Sequence, residues 1–461
     1  MAQRFRTETD SMGDIEVPSD ALYGAQTQRA VNNFNISRLT LPFAFVRAVA
    51  LIKYCAAEAN AELGLLDNNK ADAIMQAALE VFEGRWSNQF PVDVFQTGSG
   101  TSTNMNVNEV LATLAARHSG LEIHPNDDVN LGQSSNDVIP TAIQLSAARR
   151  IHRKLLPAIA SLRTVIEQRA AELDHVVKTG RTHLMDAMPL TFGQELRTWS
   201  AQLEQAEQRL SDLLPQLRAL PQGGTAIGTG INAHAQFAER FCESMSKFTE
   251  QPFTPATNKF AGIAGQDIAV ATSGIMVSVA TIMMKIANDL RWMNSGPLTG
   301  LGEITLQPLQ PGSSIMPGKV NPVIPEAVAM ACAQVMGNQT TITVAGQSGS
   351  FQLNVMLPVI AYNLLQSIEL MWKSAETMAN NCIADFQVNT EKLNQGLDRN
   401  PILVTALNPV IGYNNAAAIA KAAYQQNRPI IDVALEMTDL SQAELEALLS
   451  PLELSKGGLH Q

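Results

Sequence analysis

From Ala327 to Ile368 the chain carries no charged residue. A helix of that composition has no solvated face to show, so the stretch predicts one or two helices buried on all sides. Gly346 and Gly349, in "GQSG", mark the break between them. Long helices buried all round need neighbours. Charged residues make up only 16 % of the chain, against roughly 25 % in ordinary soluble proteins. Both features point to a helical bundle that hides much of its surface against other copies of itself.

A second uncharged run, Ile268 to Met284, lies at the short end of the length needed to span a bilayer. It carries Thr272, Ser273, Ser278 and Thr281 and no flanking aromatic belt, so it reads as a helix inside the bundle and not as a membrane span. After Asp137, an expected N-cap, apolar residues recur at Ala148, Ile151, Leu155, Ile159, Leu162 and Ile166. Steps of three and four mark one helical face. The row Leu196, Trp199, Leu203, Ala206, Leu210, Leu213, Leu217 alternates in the same way and predicts a packing seam, with Pro215 interrupting it near its end. The first 135 or so residues read as more mixed, with many short breaks. Beyond residue 390 a small helical unit is expected, with Ser441 and Glu444 in capping-box spacing. The expected domains are 1–137, 138–390 and 391–461, and 461 residues are enough for several cores.

A formal net charge of −11 argues against a nucleic-acid partner, but leaves room for a small anion in a local cationic pocket. Cys55, Cys242, Cys332 and Cys382 are too scattered for a zinc site or a disulfide framework. They read as buried thiols in a reducing compartment. "MAQRFRTETDSMG" has no apolar core and does not read as a secretory signal. The expected location is the cytoplasm.

Four polar segments interrupt the apolar pattern. "TGSGTSTNMNVNEV" offers Ser99 and Thr101 hydroxyls around Gly100, a nest suited to a carboxylate or phosphate. "GQSSNDV" puts Ser134, Ser135 and Asn136 just before a helix N-terminus, where anions are favoured. "TGRTHLMDAMPLTFGQE" holds His183, whose imidazole moves protons near neutral pH. "GSSIMPGKVNP", 312–322, packs Ser313, Ser314, Lys319 and Asn321 between glycines and prolines. Glu326 follows, read as a buried carboxylate that needs a partner, with a histidine the obvious one. No metal cluster and no nucleotide fingerprint accompanies them. Acid–base chemistry on a small carboxylate fits that inventory.

These segments, together with "HPNDDVN", resemble in order and spacing the signature motifs of the fumarase/aspartase superfamily, and the resemblance runs from "DSMGDIEVP" to "VTALNPVIGY". Within that superfamily the chain is most similar to the iron-independent, class II fumarases. The resemblance implies a mainly α, three-domain fold with a central long-helix bundle forming a homotetrameric core. It implies active sites shared between subunits, no cofactor, and reversible anti hydration of fumarate to (S)-malate. Carried over, Ser313 is the base and His183, oriented by Glu326, handles the water. Ser99, Gly100, Thr101, Ser134, Ser135, Asn136, Thr182, Ser314, Lys319 and Asn321 bind substrate. A second anion site falls on His124, Pro125, Asn126 and Asp127, weakened here by Leu121 where some members place a basic residue. The nearest rival, aspartate ammonia-lyase, typically has glutamine at the position of His183 and alanine at that of Gly318, whereas "VIP" at 323–325 leans to the aspartase side. A catalytically silent lens-type relative would be free to lose the set Ser313, Lys319, Asn321, His183 and Glu326, which is complete here.

Overall fold

The structure is a computed structural model and describes residues 4–458. The chain divides into two compact units: Met1–Pro157, Gln208–Ala280 and Cys332–Trp372 form the first, and Ala158–Glu207, Thr281–Ala331 and Lys373–Gln461 the second.

The first unit opens with an antiparallel hairpin of β1 (Phe5–Asp10) and β2 (Gly13–Pro18), in register from Phe5↔Pro18 to Asp10↔Gly13. Helix α1 (Ala25–Asn33) follows, with Gly24 as an N-cap that has no side chain to offer. Its free amides are satisfied from far away in sequence: the Glu109 carboxylate accepts from the Gly24, Gln26 and Thr27 N–H groups and from the Thr27 hydroxyl. Next come α2 (Phe43–Glu62), α3 (Asn68–Glu83) and α4 (Thr101–Ser119). The region before residue 135 thus mixes a hairpin, helices and intervening loops. The alanine-rich run from Ala44 to Ala61 lets α2 pack closely against α3, and the breaks are confined to the loops between helices.

Helix α5 (Ser135–Arg150) is buried at every position from Asp137 to Ala148. Its N-cap is Ser134, not Asp137 as expected; Asp137 is the third helical residue and completes a capping box. A π-turn at Ile151–Leu155 joins α5 to α6 (Leu156–Glu172). The expected row Ala148, Ile151, Leu155, Ile159, Leu162, Ile166 is fully buried.

Strands β3 (Val177–Thr182) and β4 (Met185–Thr191) form a hairpin, followed by α7 (Phe192–Leu217), which holds the predicted seam with all seven residues buried. Pro215 lies within its last turn. Helices α8 (Phe237–Thr249) and α9 (Lys259–Ala264) lead to α10 (Asp267–Met293). Among the described residues α10 alone has the length and hydropathy to cross a membrane. Within one chain it is buried along one face, through Ala269, Thr272, Ser273, Met276, Val279, Ala280 and Met283.

Helix α11 (Val323–Gly346) is only partly covered within one chain. It is charge-free after Glu326, yet Met330 is 69 % exposed, and Met336 and Val344 are open as well. The uncharged face is real, but nothing in one chain covers it. Helix α12 (Leu357–Met378) is largely buried, and the break at Gly346–Gly349 lies where expected. The C-terminal helices Tyr413–Gln426, Ile430–Met437 and Gln442–Leu448 close a small core of their own around Leu407, Ile419, Val433 and Leu445. Ser441 and Glu444 make the predicted capping box.

Candidate active site

In the first unit two of the four polar loops meet. Gly98 is required by proximity: a Cβ there would lie 1.7 Å from the Val355 carbonyl oxygen. Gly100 has φ +74° and caps α4. This turn sets the Ser99 and Thr101 hydroxyls 2.8 Å apart. From α4, Asn104 Nδ2 donates to Ser135 Oγ at 3.2 Å, bringing the nest beside the start of α5. Asn136 Nδ2 donates to the Ala226 carbonyl, which fixes the amide at the helix entrance.

Beneath this surface lie two buried ionisable groups, Lys53 and Asp137, whose mutual influence sequence reasoning missed. Lys53, in the apolar middle of α2, is fully buried; its Nζ donates to Asn130 Oδ1 at 2.8 Å and Gln133 Oε1 at 3.1 Å. Burial pushes its pKa down to about 7, opposed by the charge of Asp137. Asp137 is also fully buried and accepts from the N–H groups of Ser134, Gly223 and Thr225. Burial raises it to about 6, against those amides and Lys53. The pair braces the segment 130–137 from below. A lone lysine among "AVALIKYCAAEA" is the only sequence signal it leaves.

In the second unit His183 and Leu184 form the two-residue turn between β3 and β4, with φ +56° and +60°. Both lie in the left-handed region that suits hairpin twist but strains residues with a Cβ. The imidazole and Thr182 are exposed at the tip. The base of the hairpin is anchored by a second missed feature. Buried Lys178 Nζ lies 2.6 Å from both Glu195 Oε2 and Glu303 Oε2, and Arg181 Nη1 lies 2.7 Å from Glu303 Oε1. Lys178 also lies over the Phe192 ring. These charges are mutually neutralised, as burial demands.

The loop 312–322 is pinned at its neck. Asn321 Nδ2 donates to the Gly312 carbonyl at 2.7 Å, and a Cβ on Gly312 would lie 2.0 Å from the Lys319 carbonyl oxygen. Ser313 Oγ accepts from the Ile315 and Met316 N–H groups at 3.2 and 3.1 Å. Ser314 and Lys319 are exposed. A cavity of about 760 Å³ adjoins the loop, and Lys319, Asn321, Glu326, Arg291, Asn294 and Asn389 line it. Arg291 is a cation that sequence reasoning passed over.

Glu326 is exposed, not buried, and among the described residues no hydrogen bond or ion pair joins it to His183. The expected pairing is thus absent within one chain: a carboxylate at the start of α11 that meets water has no need of a partner. His124, of the expected second anion site, has Nδ1 3.1 Å from the Asp127 amide nitrogen. His124, Pro125 and Asn126 line a separate cavity of about 790 Å³, with Arg6 and Arg117 but also Glu109 and Glu122; Asp127 lies outside its lining. All four cysteines are free and buried, and burial pushes the Cys242, Cys332 and Cys382 thiols up to about 12.

A helical protein with hydroxyl-rich loops at helix starts, one histidine tip and one lysine-bearing loop is equipped for proton transfer on an anion. Comparison with known proteins agrees with that class. The family described as "Lyase" matches residues 13–337, and that described as "Fumarase C C-terminus" matches residues 403–456. The chain is 58 % identical over 459 residues to "Fumarate hydratase class II" of Xylella fastidiosa (strain Temecula1), covering 100 % of this chain and 97 % of that protein. It is 58 % identical over 454 residues to "Fumarate hydratase class II 2" of Pseudomonas aeruginosa, covering 98 % and 99 %. The solved class II fumarase from Schistosoma mansoni superposes with a TM-score of 0.95 at 41 % identity, covering 98 % of this chain and 99 % of that one. The chain belongs to the class II fumarase family of the fumarase/aspartase superfamily.

Proposed function

We propose that this chain is a hydro-lyase that adds water reversibly and anti to fumarate, giving (S)-malate. The observation that carries the reading is the full-length identity to fumarate hydratases, joined to a complete set of Ser313, Lys319, Asn321, His183 and Glu326. In the malate-to-fumarate direction Ser313 takes the C3 proton. Its Oγ already accepts from two loop amides, and hydrogen bonds that favour the charged form lower the hydroxyl's pKa, so that the alkoxide is reached more readily. The electron pair left on C3 spreads into the adjacent carboxylate as an aci-carboxylate. Lys319, with Asn321 shaping the loop neck, stabilises that charge where it develops. The C2–O bond then breaks, and the hydroxyl takes a proton from His183 and leaves as water. Ser99, Gly100, Thr101, Ser134, Ser135, Asn136, Thr182 and Ser314 hold the carboxylates and hydroxyl.

The working form is a homotetramer in the cytoplasm, with active sites shared between subunits. The open apolar face of α11 supports the assembly. The four buried thiols support a reducing compartment. The lack of contact between His183 and Glu326 in one chain fits a site to which different subunits contribute them. The test is fumarate formation from (S)-malate, followed by ultraviolet absorbance with and without a chelator, beside an (S)-aspartate control. Chelator-insensitive turnover of malate alone is expected. Turnover of aspartate instead, or of neither, overturns the reading.

A further inference from the structure

Five basic side chains of the first unit gather around one small pocket away from the four polar segments. Arg47 of α2, Arg149 and Arg150 at the end of α5, and Arg153 and Lys154 on the π-turn surround a pocket of about 180 Å³, the space of roughly six waters. Phe82, Ala44, Ala48 and Ser146 complete its walls, and no carboxylate lines it. In a chain of net charge −11, five cations around one small cavity call for an explanation.

The arginines are held open. The Arg149 guanidinium stacks on Phe82 at 4.7 Å and Arg47 on Phe43 at 5.3 Å. Such stacking fixes the planes of the two forks without using the N–H edge of Arg149, while Arg47 Nη2 donates to the Glu83 carbonyl at 3.3 Å. Arg149 Nη1 and Arg47 Nε are buried with no hydrogen-bond partner. Arg149 is pushed down to about 10, first by burial and then by the charges of Arg153 and Arg47. Among the described residues, Arg153 is the one member of the cluster with an ion pair, to Glu250 at 3.5 Å, and it also donates to the Thr249 carbonyl. Buried polar atoms are almost always satisfied, and a half-buried, crowded guanidinium with an unpaired buried nitrogen is costly unless something anionic completes it. The π-turn contributes two of the five cations, and π-turns recur at functional sites.

We propose that this pocket is a binding site for a small polyphosphate anion, with inorganic diphosphate its simplest occupant. Planar guanidinium forks match phosphate oxygens two at a time. Phosphate groups carry about −1.5 to −2 each, so a diphosphate offsets the five cations better than a dicarboxylate does. The site is distinct from the substrate loops: α5 begins with Ser135 and Asn136 and ends with Arg149 and Arg150.

The experiment is isothermal titration of the intact protein with inorganic diphosphate at neutral pH in a low-salt, phosphate-free buffer. Saturable binding is expected. It should weaken at least tenfold in Arg150→Gln/Lys154→Gln and in Arg149→Gln, and persist in Arg428→Gln, which removes a charge from the C-terminal helices. The pocket variants should keep malate turnover in the absence of diphosphate; two independent variants guard against one that fails to fold. A parallel titration with adenosine diphosphate sets the source: equal affinity assigns the site to the diphosphate group alone, and much tighter binding assigns it to a nucleotide, both supporting the proposal. No binding to the unmodified protein overturns it. So does binding undiminished in both pocket variants, or binding displaced competitively by malate.

Discussion

Ser313 is half-buried in a surface loop and Lys53 fully buried in a helix, and each makes a prediction of its own. Ser313→Ala removes the proposed base while leaving the loop neck, Asn321 to Gly312, intact. General-base contributions run to about 10²–10⁴-fold, so kcat for malate should fall by about that factor with an unchanged thermal midpoint; near-full activity would remove Ser313 from the base role. Lys53 controls stability instead. Its pKa is about 7 in the folded chain and about 10.4 when unfolded. Across that window the unfolded state holds a proton that the folded state has lost, so stability rises with pH, by at most about 1.4 kcal/mol per unit. Asp137 has the opposite sign: its raised value of about 6 makes stability fall as pH climbs from about 4 to 6. Urea midpoints measured between pH 7 and 10 should rise for the unmodified protein and stay flatter for Lys53→Met; parallel curves would refute the assignment.

At the scale of elements, the functional segments are stiffened by contacts at their bases. The hairpin carrying His183 stands on Lys178, Glu195, Glu303 and Arg181. The loop carrying Ser313 closes at Gly312, where a methyl group would lie 2.0 Å from the Lys319 carbonyl oxygen. Gly312→Ala must therefore pry the neck open. Since the loop is exposed, little core packing is at stake. Turnover should drop at least tenfold while the melting temperature shifts by no more than about 2 °C; retained turnover would mean that the neck geometry is not needed. Helical periodicity reveals the α5–α6 and α7 faces in the sequence, because the rows Ala148–Ile166 and Leu196–Leu217 are local patterns. The π-turn between α5 and α6 left no comparable trace.

For the whole molecule, the exposed side of α11 and the separation of His183 from Glu326 lead to the same expectation. Met330→Glu with Val344→Glu places two charges on the open apolar face. The proposed tetramer should fall apart to smaller species in light scattering and lose activity; an intact tetramer would place the interface elsewhere. Shared active sites can be tested by mixing. Ser313→Ala and His183→Asn chains, each inactive alone, should regain a substantial fraction of activity after refolding together, because some sites then draw both intact residues from different chains. A site built within one chain would regain none.

The sequence by itself determined which residues face a core, where the polar loops fall, and which family the motifs resemble. These are properties of spacing and residue type, and they need no knowledge of what lies across the chain. Tertiary structure alone decided the rest. Glu109 caps a helix 85 residues earlier, and Glu303 reaches Lys178 across 125. Lys53 finds Asn130 and Asp137, and Arg47 joins four cations from the end of α5 and the π-turn after it. Each of these depends on which surfaces come together, and a charged residue read alone carries no record of its distant partner. The uncharged run of α11 shows the same divide: composition demanded that it be covered, and a single folded chain leaves it open.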